Sequence, residues 1–310
     1  MKRTILGLVL ACVLLFNFTG FADKIDNRSD DATHILVGKV NKVDSYYDTN
    51  RWGDFLISSG VRVKVDRVLK GILGDYVNFT VEGGTVREMT LKVSEIPLFE
   101  EEQIKKFYLK KVGDIFEYLD SEDAEEGADV QGMSAARGRV SCCKTFASWP
   151  GKSAQYFINT VNNDMSPTCA RNDINAGAAA WDAACGITMT YGGTSSVATT
   201  SPYDQNVIFF RNDTSGNTIA VTYTWYSHKN IVAFDMIFYD GAWAFFSKQC
   251  NASCNTGFLL QVIATHELGH AIGLDHNSCV SSMMYPYASY CANTVLSADD
   301  IACAQSLYRN

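Results

Sequence analysis

The chain has 310 residues, of which 47% are hydrophobic and 19% charged, with a net charge of −8 at pH 7. That length suits two domains, and that balance excludes a chain too polar to bury a core. The acidic excess also argues against a nucleic-acid partner, which needs a basic face. Charge is unevenly spread. Residues 23–140 carry 17 basic and 23 acidic groups, whereas residues 141–310 carry 7 and 11. A composition boundary therefore falls near residue 140.

The N-terminus reads as a secretory leader over residues 1–22. Lys2 and Arg3 precede an apolar core from Ile5 to Phe18, and Gly20 and Ala22 supply small residues for cleavage. The run is too short for a transmembrane helix, and no other stretch approaches one, so export to the extracellular space is expected. Val9-Leu-Ala-Cys12 offers a lipid-anchored alternative. Residues 23–120 read as strands that alternate apolar and polar positions, at His34–Val40, Gly60–Asp66 and Tyr76–Val81. Gly71, Gly74 and Gly83 punctuate them as turns. The expectation is a mostly antiparallel β-barrel or sandwich, in which His34 is a structural residue at a strand edge. Residues 121–140 begin with an acidic run and read as a linker, with a last strand of the first domain near Val130.

The second half, 141–310, mixes helix and strand. A helix is predicted from Pro167 or Thr168 to just before Gly186. Strands follow near Ile187–Tyr191, Asn206–Arg211, Ala220–Tyr226 and Ile231–Phe238. Trp225, Tyr226, Trp243, Phe245 and Phe246 read as core. An apolar run from Gly257 to Thr265 then leads into His266-Glu-Leu-Gly-His-Ala-Ile-Gly-Leu-Asp-His276, which holds three of the five histidines. Residues four apart share a helix face, so His266 and His270 can present two imidazoles to one metal. Glu267 is displaced around the helix and can reach a metal-activated water without being a ligand. It is the lone glutamate between Ser141 and Asn310. Gly273 supplies the left-handed residue that ends the helix, and the turn returns His276 as a third ligand. Three protein ligands leave a position open, which marks a catalytic zinc rather than a structural one.

This motif resembles that of the metzincin metallopeptidases, and within them the matrixins. Ser282-Met-Met-Tyr-Pro286 is similar to the family's Met-turn, with Met284 as the residue packed beneath the metal. Leu296–Ile301 and Gln305–Tyr308 are similar to its last helix. Trp149, Tyr156–Asn159, Ala178–Trp181 and Ile187–Tyr191 are similar to its opening strands and first helix. The resemblance covers about residues 145–310. It implies an α+β fold: a twisted mixed sheet, an active-site helix and a small C-terminal subdomain, here preceded by a mostly-β domain. Val68-Leu-Lys-Gly71 and Gly83-Gly-Thr85 resemble the β-rich module that precedes such domains in some secreted bacterial proteins. It also implies that Asp235–Asp240 is the edge strand on which a peptide substrate adds as an extra strand, and a plain sheet strand explains the same residues equally well. After Pro286 the family places a tyrosine two residues on. Here Tyr287 comes one early and Ala288 holds that place. A second, structural zinc has only His34 and His228 left to build it, and calcium is a possible further ion.

The implied activity is zinc-dependent hydrolysis of peptide bonds in protein or peptide substrates, with Glu267 as general base and acid. Two rivals stand beside it: a non-catalytic binding protein on the same scaffold, and a latent zymogen in which residues 23–140 are an inhibitory pro-segment. Nine cysteines follow the leader, all beyond residue 141, and point to disulfides. Cys169 and Cys185 flank one helix at roughly 24 Å and are too distant to pair. Cys250 and Cys254 could close a small ring, and Cys279, Cys291 and Cys303 are close enough in sequence for a pair. Nine is odd, so at least one cysteine lacks an intramolecular partner. The family's zymogen cysteine consensus is not present, but Cys142 or Cys143 lies where a thiolate ligand could confer latency.

Overall fold

A computed structural model describes residues 28–124, 142–248, 250, 256–293 and 295–309. The leader, residues 125–140 of the linker and the strand expected near Val130 lie outside these residues.

A one-turn helix, α1 (Arg28–Asp31), leads into β1 (His34–Thr49), β2 (Phe55–Lys70) and β3 (Tyr76–Glu82). Two short strands follow, β4 (Gly84–Val86) and β5 (Met89–Val93), and then the hairpin of β6 (Ile104–Val112) and β7 (Ile115–Asp123). The order β1-β2-β3-β7-β6 closes a barrel. Its interior follows the period of two: Val77, Phe79 and Val81 of β3 point inward with Leu36, Val40, Val61, Val63, Phe107 and Leu109. His34 opens β1 and packs edge-on against Phe116. The hairpin of β1 and β2 runs further than its apolar alternation, with Tyr47 still paired to Ile57. Residues 41–49 are mostly polar, so the pattern stops before the strand does. The hairpin's far end reaches the second half of the chain, where Arg211 makes two hydrogen bonds of 2.9 Å to the fully buried Asp54.

The second half contributes β8 (Ser153–Ile158), α2 (Pro167–Cys185), β9 (Thr188–Thr194), β10 (Val207–Phe210), β11 (Ala220–Ser227) and β12 (Asn230–Phe238). The pair β13 (Phe245–Phe246) and β14 (Phe258–Leu259), the helix α3 (Leu260–Ala271) and the last helix α4 (Ala298–Tyr308) complete it. Helix α2 has the ends its sequence predicts. The Ser166 side chain accepts from Cys169 N, Pro167 opens the first turn, and Gly186 closes the helix at φ 80°.

The large sheet has seven strands in the order β4-β5-β11-β12-β10-β8-β9, so two of its strands come from the first half of the chain. Strands β9, β8, β10 and β12 are parallel, and β11 runs antiparallel to β12. Asp235–Asp240 is therefore not at an edge. Its strand, β12, pairs with β10 on one side and β11 on the other. Residues 233–238 are buried without interruption, as interior strands are. The outermost strands of the second half are β11 and β9, and the outer edge of β11 is taken by β5.

The disulfides also differ from the sequence-local pairs. Cys142 bonds Cys279, Cys143 bonds Cys303, and Cys169 bonds Cys250. Cys250 therefore closes no ring with Cys254. Cys279 and Cys303 are both joined to the start of the second half, not to each other. Cys291 is disulfide-bonded too. The unpaired cysteine among the described residues is Cys185, buried at the end of α2. Cys142 and Cys143 have no thiolate to offer, which removes them as latency residues. Among the described residues no helix is long and apolar enough to cross a membrane.

Candidate active site

Helix α3 is enclosed on several sides, and its polar residues are therefore few and consequential. On one side lies α2, brought close by Gly177. A Cβ there would come within 3.0 Å of the Thr265 nitrogen, and Trp181 donates its indole N–H to the Thr265 carbonyl at 2.8 Å. On the other side lies β11. The hydroxyls of Thr222 and Thr224 donate to the carbonyls of Glu267 and His270 at 3.1 and 3.3 Å. These bonds fix the helix's rotation as well as its position.

The helix ends as its sequence predicts, and the reason for Gly273 is visible. Its φ is 99°, and a Cβ would overlap the Ala147 carbonyl oxygen. Phe146 N–H donates to the Gly273 carbonyl at 2.9 Å, and Leu274 N–H to the Gly269 carbonyl at 3.0 Å. The turn returns His276 to the helix. His276 Nε2 lies 3.1 Å from His266 Nε2, which lies 3.2 Å from His270 Nε2. The other ring nitrogens face carbonyls, His266 Nδ1 at 2.6 Å from Met283 O and His270 Nδ1 at 2.8 Å from Leu274 O. A carbonyl accepts only from a protonated Nδ1, and in a neutral ring that leaves the Nε2 lone pair to point at the space the rings share. Burial, then His266 and Lys92, hold His270 well below the ordinary histidine range and keep it neutral. Lone pairs this close repel unless a cation lies between them. A tetrahedral zinc with bonds of about 2.0–2.1 Å separates its nitrogens by about 3.3 Å, so the spacing fits.

Met284 is buried and packs so closely on Gly269, the residue before His270, that a Cβ there would collide with its sulfur. The turn that carries it is pinned by Asp300 of α4. The Asp300 carboxylate accepts from Met283 N at 2.8 Å, from Ser297 N at 2.8 Å, and from the Ser282 and Ser297 hydroxyls. Met283 in turn presents the carbonyl that holds His266. Pro286, Tyr287 and His276 line part of a cavity of about 880 Å³, while Ala288 packs against the core.

Glu267 is 3% exposed and accepts from the Thr222 hydroxyl at 2.7 Å. Burial, then the charge of Glu95, raises its pKa to about 8. Glu95 is a residue that reading along the chain does not find. It follows β5, and its Oε1 lies 3.7 Å from His276 Nε2. Its carboxylate also comes within 4.8 Å of a ligand atom of His266 and of Glu267. Its neighbours Lys92 and Ser94 touch the site as well. Nothing local to Lys92–Glu95 marks them, because a contact spanning more than 170 residues leaves no periodic trace. Of the remaining histidines, His34 is in the barrel and His228 in the turn between β11 and β12.

A mixed sheet over an enclosed helix, three converging histidines and a buried methionine turn define a metzincin-type fold and site. Within that class the chain belongs to the matrixin family, whose model matches residues 148–309, just over half of the chain. The family is zinc-dependent, in keeping with the histidine cluster. Among similar proteins, the hatching enzyme of Paracentrotus lividus is 26% identical over 166 residues, 49% of this chain and 25% of that protein. Matrix metalloproteinase-26 of Homo sapiens is 48% identical over 59 residues, covering 18% of this chain and 23% of that protein. Macrophage metalloelastase of Oryctolagus cuniculus is 52% identical over 54 residues, covering 17% and 12%. The chain thus spans a quarter or less of the length of these relatives.

Proposed function

We propose that this chain is a secreted endopeptidase that hydrolyses peptide bonds with one zinc held by His266, His270 and His276. The observation that carries the reading is the convergence of three imidazole nitrogens at 3.1 and 3.2 Å beside a buried carboxylate on the same helix. Zinc, when bound, lowers the pKa of a coordinated water toward neutrality and polarises a carbonyl.

The rest of the chemistry belongs to the side chains. Glu267 takes a proton from the attacking water and delivers it to the nitrogen of the leaving amine as the C–N bond breaks. A carboxylate whose pKa sits near 8 when the cation is absent is drawn down by a positive neighbour, toward the range in which it both accepts and returns a proton. The Thr222 hydroxyl, at 2.7 Å, fixes which oxygen does so. The carbonyls of Met283 and Leu274 orient the His266 and His270 rings and keep their tautomers. Met284 and Gly273 are structural supports: one packs on Gly269, the other turns the chain so that His276 can join the other two rings. Disulfide bonding of six described cysteines in three pairs supports export to an oxidising space.

The test is metal analysis for zinc and calcium joined to a peptide-library cleavage profile, with Glu267→Ala as control. One equivalent of zinc and loss of cleavage in the variant are expected. A Glu267→Ala protein that digests denatured casein as fast as the parent refutes the assignment.

A further inference from the structure

The outer edge of β11 is the natural place for a peptide beside this site, since an exposed edge binds an extended chain through its main-chain groups. In this molecule the edge is already filled from within. Strand β5 pairs antiparallel with it, placing Thr90 opposite Tyr226, Leu91 opposite Trp225, Lys92 opposite Thr224 and Val93 opposite Tyr223. The pairing continues past the strand. Ser94 N–H donates to the Thr222 carbonyl at 3.0 Å, and Thr222 N–H donates to Ser94 Oγ at 3.1 Å.

The next residue reaches the histidines. Glu95 Oε1 lies 3.7 Å from His276 Nε2, with its carboxylate within 4.8 Å of ligand atoms of His266 and Glu267. One residue before β5 ends, Lys92 turns back as a latch. The residue is 5% exposed, and its ammonium bonds the Val93 and Ile96 carbonyls at 3.1 Å and pairs with Asp275 at 3.3 Å. Asp275 directly precedes His276. The segment thus touches the substrate edge, a metal-ligand candidate, the neighbour of that candidate and the environment of Glu267. A strand serving only to extend the sheet needs the first of these contacts and none of the others.

We propose that residues 89–96 are an intramolecular pseudosubstrate. Strand β5 occupies the β11 edge, the Glu95 carboxylate caps the histidine cluster, and the intact chain is a latent form of the enzyme. This rests on the endopeptidase reading above and adds its regulation. Latency is supplied by a carboxylate and a strand, not by a cysteine. An incoming peptide binds only when the segment has left, so its apparent affinity is reduced by the fraction of molecules that are open.

The experiment uses the zinc-loaded full chain in two backgrounds. With Glu267→Ala, binding of fluorescein-labelled denatured casein is followed by anisotropy. With Glu267 intact, the rate of casein cleavage is followed. Glu95→Ala and Lys92→Met are each expected to tighten binding and speed cleavage by about tenfold or more. Equal binding and equal rates in the parent and both variants overturn the proposal. A third measurement needs no change in the segment: amide hydrogen exchange of the Glu267→Ala chain with and without saturating casein. Casein is expected to strip protection from residues 90–94, and protection that persists with casein bound overturns the proposal. The two readings fail separately. If Glu267→Ala cleaves like the parent, the catalytic assignment falls, while the binding and exchange measurements still judge the pseudosubstrate.

Discussion

Asp300 offers the sharpest test of how the last helix supports the histidines. It is 1% exposed, and its carboxylate accepts from the backbone N–H groups of Met283 and Ser297 and from the Ser282 and Ser297 hydroxyls. Asp300→Ala leaves those donors without their acceptor. A hydrogen bond to a charged group contributes about 1.5–3 kcal/mol, so the two backbone bonds alone give about 3–6 kcal/mol. In a unit of this size each kcal/mol moves the midpoint by about 2–4 °C, so a fall of about 10 °C is expected in thermal unfolding of the metal-free protein. The second effect is the more specific. Met283 carries the carbonyl that faces His266 Nδ1 at 2.6 Å, and losing such a partner costs about 10–100-fold in metal affinity. Competition with a chromogenic chelator measures it. Asp300→Asn keeps one acceptor oxygen and should lose less on both counts. If Asp300→Ala melts within about 2 °C of the parent and binds zinc within about twofold, the proposed coupling between α4 and His266 is wrong.

Three further outcomes follow from single residues. Gly273→Ala combines a left-handed backbone with a collision against the Ala147 carbonyl and should cost about 3 kcal/mol or more; a variant with parental stability in urea would refute the strain. Glu82 is half-buried beside the Tyr223 hydroxyl, which donates to it at 2.8 Å, and desolvation raises its pKa above 4.5. The folded chain holds that proton more tightly than the unfolded one, so the group's contribution is full below about pH 4.5 and lost as pH rises through the raised value. Glu82→Gln should therefore gain stability relative to the parent as pH rises above about 4.5, and a difference that does not change with pH counts against it. Burial also raises the pKa of Cys185, whose thiol donates to the Trp181 carbonyl. A maleimide should label it only after unfolding, and rapid labelling of the native protein would show the end of α2 to be open.

What could be read along the chain was what the chain encodes locally. Helix α2 carries both of its caps within 21 residues, Ser166 to Gly186, and three metal-ligand candidates fall within eleven, His266 to His276. Periodicity found the strands of the second half but not their order. Asp235–Asp240 has the composition of a sheet strand, and only its continuous burial and its two partners reveal it as interior. The disulfides join residues 137 and 160 positions apart, beyond any argument from spacing. Lys92, Ser94 and Glu95 were hidden for the same reason. They sit among strands whose alternation concerns the barrel and the sheet, and the register that carries them to His276 is set by pairing with a strand about 130 residues away.

No cysteine lies between residues 13 and 141, and Cys142 and Cys143 are both fastened to the C-terminal end of the protein. The barrel and β5 are therefore joined covalently to the second half by the main chain alone, while the second half is sewn to itself. As long as that one connection is whole, β5 meets β11 within a single molecule, and dilution does not change its occupancy. A single break between β5 and Cys142 would convert the same contact into an encounter between two molecules. Its occupancy would then follow dilution, and no bond would need to be reduced for the two halves to part.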